Sequence, residues 1–333
     1  MNGNGDGSGN PDSYDWRPIE LADAADWAAL LVAVQTVDQD WEYRSVQDLA
    51  EKFDDPYRDF SVGSVAVYDR DTMVGCGSLK ARAAADPVHE MQYHGAVHPA
   101  HRGRGLGSRL LDWAETAAVT LHQEHYPDRP LSLSGSCLSS NAEAIALYGA
   151  RGYHPARWYN AMVRDLTVPL PELPTPAGVE IVGYTPERSA DAHMIRNEAF
   201  KDHWGTTEIS AEGWAHFMEH SVFRPAYSFL AYADGEPLGF IIGHEYDAYA
   251  EATGIRDLFI PLLGTLRAGR KRGIGTAHLV RALAEAKAAG FTAASLMVDV
   301  DSPTGALGLY ERAGFTVEHT SIVQTKTVTQ AQA

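Results

Sequence analysis

Cysteine is nearly absent: Cys76 and Cys137 are the only two in 333 residues. Two cysteines cannot build a disulfide framework or a four-cysteine zinc site, and the expected setting is reducing and cytoplasmic. Long apolar runs are missing too. No window approaches the roughly 18 consecutive apolar residues of a membrane helix, so no membrane partner is expected. The opening stretch, Met1 to Asp15, has neither the basic nor the apolar part of a secretory signal. Rich in Gly, Asn, Asp and Ser, it is expected to be a flexible tail. Positive charge is in short supply: 27 Lys and Arg stand against 44 Asp and Glu, for a net charge of −17. Such a surface repels phosphate backbones, so no nucleic-acid partner is expected, and it attracts cationic ligands such as amines. The remainder is an ordinary globular composition, 45% hydrophobic and 21% charged, in a chain long enough for two domains.

The chain contains a repeat. His101-Arg102-Gly103-Arg104-Gly105-Leu106-Gly107-Ser108 returns half a chain later as Gly269-Arg270-Lys271-Arg272-Gly273-Ile274-Gly275-Thr276. Further on, Ala144, Leu147-Tyr148 and Gly152-Tyr153 return as Ala306, Leu309-Tyr310 and Gly314-Phe315. An ordered set of motifs repeated at nearly one offset marks two similar domains. Between the copies, 168–176 holds four prolines, which exclude a helix or a central strand. The expected organisation is a tail at 1–15, a domain at 16–167, a linker at 168–178, a domain at 179–326 and a tail at 327–333.

Each half reads as a mixed α/β arrangement. In the first, apolar spacing predicts a helix over 27–37, a hairpin of 64–68 and 73–79, and a strand at 91–97. It then predicts a helix at 106–121, a strand at 131–136, a short helix at 141–149 and a closing strand at 159–166. The second half repeats the order: strand 179–184, helix 190–200, strands 228–233, 238–243 and 258–266, helix 274–289, strand 294–299, helix 304–312 and strand 316–325.

The glycine turn carries the chemistry. Val97 ends a strand, Pro99 breaks it, and Gly103, Gly105 and Gly107 lead into a helix. Glycine lets the backbone approach a ligand with no Cβ in the way. The first helical N–H groups have no intrahelical partner and, with the helix dipole, suit a phosphate. Arg102 and Arg104 add positive charge. A P-loop would need Gly-Lys-Ser/Thr after its glycines, and a Rossmann turn would open the first βαβ unit. Neither pattern is met.

Arg102-x-x-Gly105-x-Gly107 and Arg270-x-x-Gly273-x-Gly275 resemble the acetyl-CoA signature of the GNAT superfamily. Asn141, Ala144, Tyr148 and Gly152-Tyr153 resemble its downstream pattern, Asn-x-x-Ala-x-x-x-Tyr-x-x-x-Gly-Phe. The second copy has no Asn at that place. The arrangement resembles actinobacterial tandem acetyltransferases of the mycothiol-synthase type. The resemblance implies two GNAT folds in tandem, each a splayed mixed sheet, and acetyl-CoA as co-substrate without a metal. It implies cofactor contacts from Val97, Arg102, Gly103, Arg104, Gly105, Leu106, Gly107, Ser108 and Asn141. The second set is Leu266, Arg270, Lys271, Arg272, Gly273, Ile274, Gly275 and Thr276. Tyr148 and Tyr310 stand where the family carries the acid for the departing thiolate, and Glu90 where a carboxylate base works through water. In the second half, Asp257, Glu245 and Asp247 are the nearest acids, able to bind a cation or to face water. Cys137 could take a covalent acetyl group or fill space in a strand, and His94 is a further candidate base. His98 and His101 are expected to be solvated.

The function implied is transfer of acetyl to a primary amine of a small molecule or peptide by direct attack in a ternary complex. The alternatives are an enzyme for aminoglycoside-like antibiotics and a CoA-binding sensor without chemistry. The protein is expected to be a monomer or homodimer.

Overall fold

The first strand begins inside the segment expected to be a tail. The computed structural model describes residues 14–40, 42–82, 84–85, 87–171, 176–302 and 305–328. Asp15–Arg17 is strand β1, antiparallel to Ser64–Asp69 (β2). Tyr14 is buried, with its hydroxyl 3.1 Å from His101 Nδ1. A burying aromatic ring and an open sheet edge order the chain here, so the expected tail is wrong for Tyr14 and Asp15. The rest of it, 1–13, lies outside the described residues, as does 329–333 at the other end. Thr327 and Val328 belong to the last strand, Thr316–Val328 (β12).

The chain forms two compact units. The first comprises Met1–Ser136, Asn141–His154 and Gln324–Ala333; the second comprises Cys137–Ser140 and Pro155–Val323. In the first, Ala24–Asp38 (α1) and Val46–Ala50 (α2) precede β2, which forms a hairpin with Thr72–Ala81 (β3). Next come His89–Val97 (β4), Leu106–His125 (α3), Leu131–Leu138 (β5) and Ala142–Ala150 (α4). The sheet order is β1-β2-β3-β4-β5, followed by the end of β12. β4 and β5 pair in parallel, a connection that needs a crossover helix; α3 is that helix. It buries Leu106, Leu110, Leu111, Ala114 and Ala118, the stripe expected from sequence. The other face of the sheet is covered by α1, whose Trp27, Leu30, Leu31 and Val34 pack with Ala66, Met73 and Cys76.

The second unit follows the same plan. Glu180–Gly183 (β7), Ser189–Ala199 (α5) and Ala211–Glu219 (α6) lead to a hairpin of Phe229–Ala233 (β8) and Glu236–His244 (β9). Asp257–Thr265 (β10), Ile274–Ala288 (α8), Ala293–Asp299 (β11) and Ala306–Arg312 (α9) follow. β10 and β11 again pair in parallel, across α8. A helix, Asp247–Thr253 (α7), falls where a connection was expected. It buries no residue, so it carries no apolar stripe to read.

The closing strands change places. His154–Asp165 (β6) pairs with β11, from Ala293↔Asp165 to Asp299↔Tyr159. The end of β12 returns to the first unit, where Ser132 Oγ lies 3.0 Å from Thr325 Oγ1 and Lys326 pairs with Glu115 at 2.8 Å. The proline segment separates the sequence repeats, but the compact units do not divide there. Within that segment, 172–175 lies outside the described residues.

Candidate active site

In each unit the parallel strand pair comes apart at one end. β4 and β5 pair from His89↔Leu131 to Tyr93↔Gly135, and β4 then runs on to Val97. β10 and β11 pair from Asp257↔Ala293 to Ile260↔Leu296, and continue to Thr265 and Asp299. The strands carry straight on into the glycine turns, so each gap opens beside a helix N-terminus.

The turns are alike in detail. Gly105 and Gly273 are the residues before α3 and α8, with φ of 83° and 81°. A Cβ at either would meet nothing within 4 Å, so the space before each helix is open and the first N–H groups point into it. A diphosphate fits such a cradle. Leu106 and Ile274 are buried, so only their backbone faces that space, with Ser108 and Thr276 in the first turn. Gly107 and Gly275 serve packing: a Cβ would stand 3.0 Å from Leu147 and 3.2 Å from Leu309, side chains of α4 and α9.

The motif arginines turn away from the cradle. Arg102 donates through Nε to Val97 O at 3.2 Å and grips Asp38 at 2.7 and 2.8 Å. Arg270 repeats this: its Nε meets Thr265 O at 3.3 Å and its other end meets Ala199 O at 3.4 Å. Asp38 and Ala199 end α1 and α5. Each arginine therefore ties the end of the first helix to the end of the parted strand. Leu266, expected among the cofactor contacts, bonds its N–H to Leu238 O. Lys271 and Arg272 are exposed beside the turn, and Arg104 reaches Tyr14 Oη at 3.4 Å. Asn141 caps α4, its Oδ1 accepting from Ala144 N at 3.0 Å. Gly305, left-handed at φ 68°, stands at that cap in the second unit.

Tyr148 is buried with its hydroxyl against Gly135, where a Cβ would lie 2.2 Å away. Tyr93, which the sequence reading passed over, leans on Gly95 in the same way. Its phenol is pushed well above 10 by burial and by Tyr148. Two phenols thus meet where β4 and β5 part, and Tyr93-x-Gly95 was the signal available in the sequence. Tyr310 is also buried, and burial alone pushes its phenol up to about 12.

Glu90 stands on the paired part of β4, opposite Ser132, and not at the parted end. Its carboxylate is held by Arg82 at 3.0 Å. At the parted end, His94 faces Glu42, Lys52, Arg58 and Lys80. Desolvation and then Arg58 push its imidazole down to about 3. Glu42 sits among Arg44, Lys52, His94 and Arg58; burial opposes its charge, but Arg44 and Lys52, ahead of the others, outweigh it and hold the carboxyl low. Cys137 is pushed up by burial, the opposite of an activated thiol. His98 accepts from Ala100 N–H, and His101 has Tyr14 as its partner.

Glu245 does not face water. It is buried and held by Arg224 at 2.9 Å and Arg256 at 2.6 Å. Asp257 is different. One oxygen accepts from Ser295 Oγ at 2.5 Å, and Oδ1 has no partner among the described residues. Burial pushes its carboxyl up from 3.8 to about 6, partly opposed by Ser295. The folded state thus holds the proton that the unfolded state releases, and stability falls as pH rises from about 4 to 6. Asp257→Asn is neutral at every pH. Denaturant midpoints are expected to show it more stable than the parent by about 1–3 kcal/mol at pH 7.5, with the gap closed by about pH 4. A gap that does not change with pH would sink this account.

The two units differ where the parallel strands part. β3 and β4 keep register without a break from Gly75↔Val97 to Ala81↔Met91. β10 carries one residue more than β9 between Phe259↔His244 and Leu262↔Ile242. This bulge lies where β10 leaves β11, and a bulge frees backbone groups from the ladder.

Comparison with known proteins agrees with this geometry. The acetyltransferase (GNAT) domain model matches residues 61–155, and the acetyltransferase (GNAT) family model matches 190–315. The chain is similar to a mycothiol acetyltransferase of Thermobispora bispora, 31% identical over 256 residues, covering 75% of this chain and 79% of the relative. A mycothiol acetyltransferase of Salinispora tropica is 33% identical over 232 residues, covering 66% and 68%. Among solved structures, a GCN5-related N-acetyltransferase from Sphaerobacter thermophilus superposes with a TM-score of 0.75 at 26% identity, covering 96% of both chains. A tandem GNAT protein from the clavulanic acid biosynthesis pathway shares the fold, with a TM-score of 0.71 at 16% identity over 96% of this chain and all of the other. No helix among the described residues is long and apolar enough to cross a membrane.

Proposed function

We propose that this chain, which belongs to the GNAT acetyltransferase family and carries its domain twice, transfers acetyl from acetyl-CoA to a primary amine of a small molecule or peptide, and that the second unit does the chemistry. The observation that carries the choice of unit is the extra residue in β10. Attack of an amine on a thioester builds negative charge on the carbonyl oxygen. Backbone N–H groups fixed at that point stabilise it at no cost of reorganisation. The bulge supplies such groups at the mouth of the second gap, and the unbroken β3–β4 ladder keeps its own engaged. Both glycine turns are built to take the diphosphate of CoA, so the first unit is a second binding site for the same ligand.

The remaining groups fit the reaction. The amine attacks as the free base, the C–S bond breaks, and the thiolate is protonated. A phenol at about 12 stays protonated at every working pH, so Tyr310 is a constant hydrogen-bond donor. The name borne by the relatives, mycothiol acetyltransferase, makes mycothiol lacking its acetyl group the first acceptor to try.

The test is mass spectrometry of acceptors incubated with acetyl-CoA and the intact protein: that amine, aminoglycosides and lysine-bearing peptides. An acetylated product that forms with wild type and Gly105→Glu but not with Gly273→Glu supports the reading. Product that survives Gly273→Glu and is lost in Gly105→Glu moves the chemistry to the first unit. Hydrolysis of acetyl-CoA with no acetylated amine refutes the transferase reading.

A further inference from the structure

We infer that His203, on the loop between α5 and α6, is the general base of the second unit. The inference rests on the acetyl-transfer reading and supplies the proton acceptor that β10 lacks. The acid on β10, Asp257, lies at the end far from the gap and is buried against Ser295.

The loop after α5 runs past the parted ends of β10 and β11. Phe200 reaches the parted end of β10, where a Cβ on Gly264 would stand 3.0 Å from its ring. The His203 ring lies against Phe200, with centroids 4.8 Å apart. Trp204 then meets Arg157, whose guanidinium carbon is 6.0 Å from the indole centre. Arg157 Nε donates to Asp299 Oδ2 at 3.0 Å, at the end of β11. Two arginines of the glycine turn pin the start of the loop: Arg270 donates to Ala199 O, and Arg267 pairs with Asp202 at 2.7 Å. His203 is therefore held beside the parted ends of β10 and β11, near Arg270 and Asp299.

The groups facing the imidazole are Asp299 from β11, Arg270 from the turn and Asp202 from its own loop. Arg157 offsets the first and Arg267 the last. Burial, ahead of these charges, lowers the imidazole pKa, so it is neutral at neutral pH and free to take a proton. The repeat supports the assignment. Arg102 holds Asp38 as Arg270 holds Ala199, and four residues on stand Glu42 and His203. Glu42 faces His94 at the parted end of β4. Both halves thus place a proton acceptor at one point of the same loop.

In the step assigned, an imidazole nitrogen of His203 takes a proton from the acceptor's ammonium group. The freed amine bonds to the acetyl carbon, the C–S bond breaks, and the CoA sulfur leaves as a thiolate that takes up a proton. His203 returns its own proton to water. Acetyl-CoA and ammonium give amide, CoA thiol and one proton.

The experiment compares kcat/KM against pH for wild type and His203→Gln, with acetyl-CoA affinity measured by calorimetry. His203→Gln is expected to lose about 100-fold in kcat/KM, to lose the acid limb of the profile, and to bind acetyl-CoA as wild type does. His203→Ala is expected to regain turnover when imidazole is added. An acid limb that persists in His203→Gln, or turnover close to wild type, overturns the inference. Turnover that stops in Gly273→Glu but survives in His203→Gln overturns this inference alone. Turnover that survives Gly273→Glu overturns the reading beneath it as well.

Discussion

Tyr310→Phe is expected to lower kcat about 100-fold, equivalent to about 2.7 kcal/mol of transition-state stabilisation. The phenol is buried on α9 and stays protonated, since burial pushes it up to about 12. Removing its hydroxyl takes away a donor for the leaving thiolate and leaves the ring in place, so the core around Val298 and Phe315 is kept. Because the group does not titrate in the working range, the pH profile should keep its shape while its height drops. Steady-state kinetics across pH reads both. A profile that changes shape would give Tyr310 a different role. If Tyr148→Phe is the variant that loses turnover, the first unit does the chemistry.

Gly135→Ala is expected to destabilise the first unit by about 3 kcal/mol. The added methyl would stand 2.2 Å from Tyr148 Oη and 2.8 Å from its Cζ. A phenol ring is stiff, and this one is buried and lies 5.2 Å from the ring of Tyr153. It cannot swing aside without opening the core. Tyr148→Phe in the same chain removes the nearer clash and should restore part of the loss, a coupling that a double-mutant cycle measures. Denaturant midpoints of the four proteins decide it. If Gly135→Ala is as stable as its parent, the phenol is not seated against β5.

Much of this was legible beforehand because periodicity and glycine placement are local. The stripe of Leu106, Leu110, Leu111, Ala114 and Ala118 announces α3, and the paired glycine turns announce both cradles. Other features depend on partners distant in the chain. Nothing near Arg102 indicates that it grips Asp38. Nothing in 159–166 indicates that the strand pairs with β11, since a strand's own pattern does not name its neighbour. The helix α7 buries no side chain and so leaves no stripe to read. The bulge in β10 is a difference in register between two strands, visible only once both are aligned. His203 lies in a loop, where no period exists to single it out.

The measurement that bears most directly on the central claim is acetyl-CoA binding by calorimetry to the intact protein, Gly105→Glu and Gly273→Glu. A carboxylate in the open space before either helix should repel and obstruct a diphosphate. Two sites in wild type, with one lost in each variant, is the predicted result. Absence of binding to wild type at high micromolar acetyl-CoA would contradict it, and would leave both glycine turns as connections and nothing more.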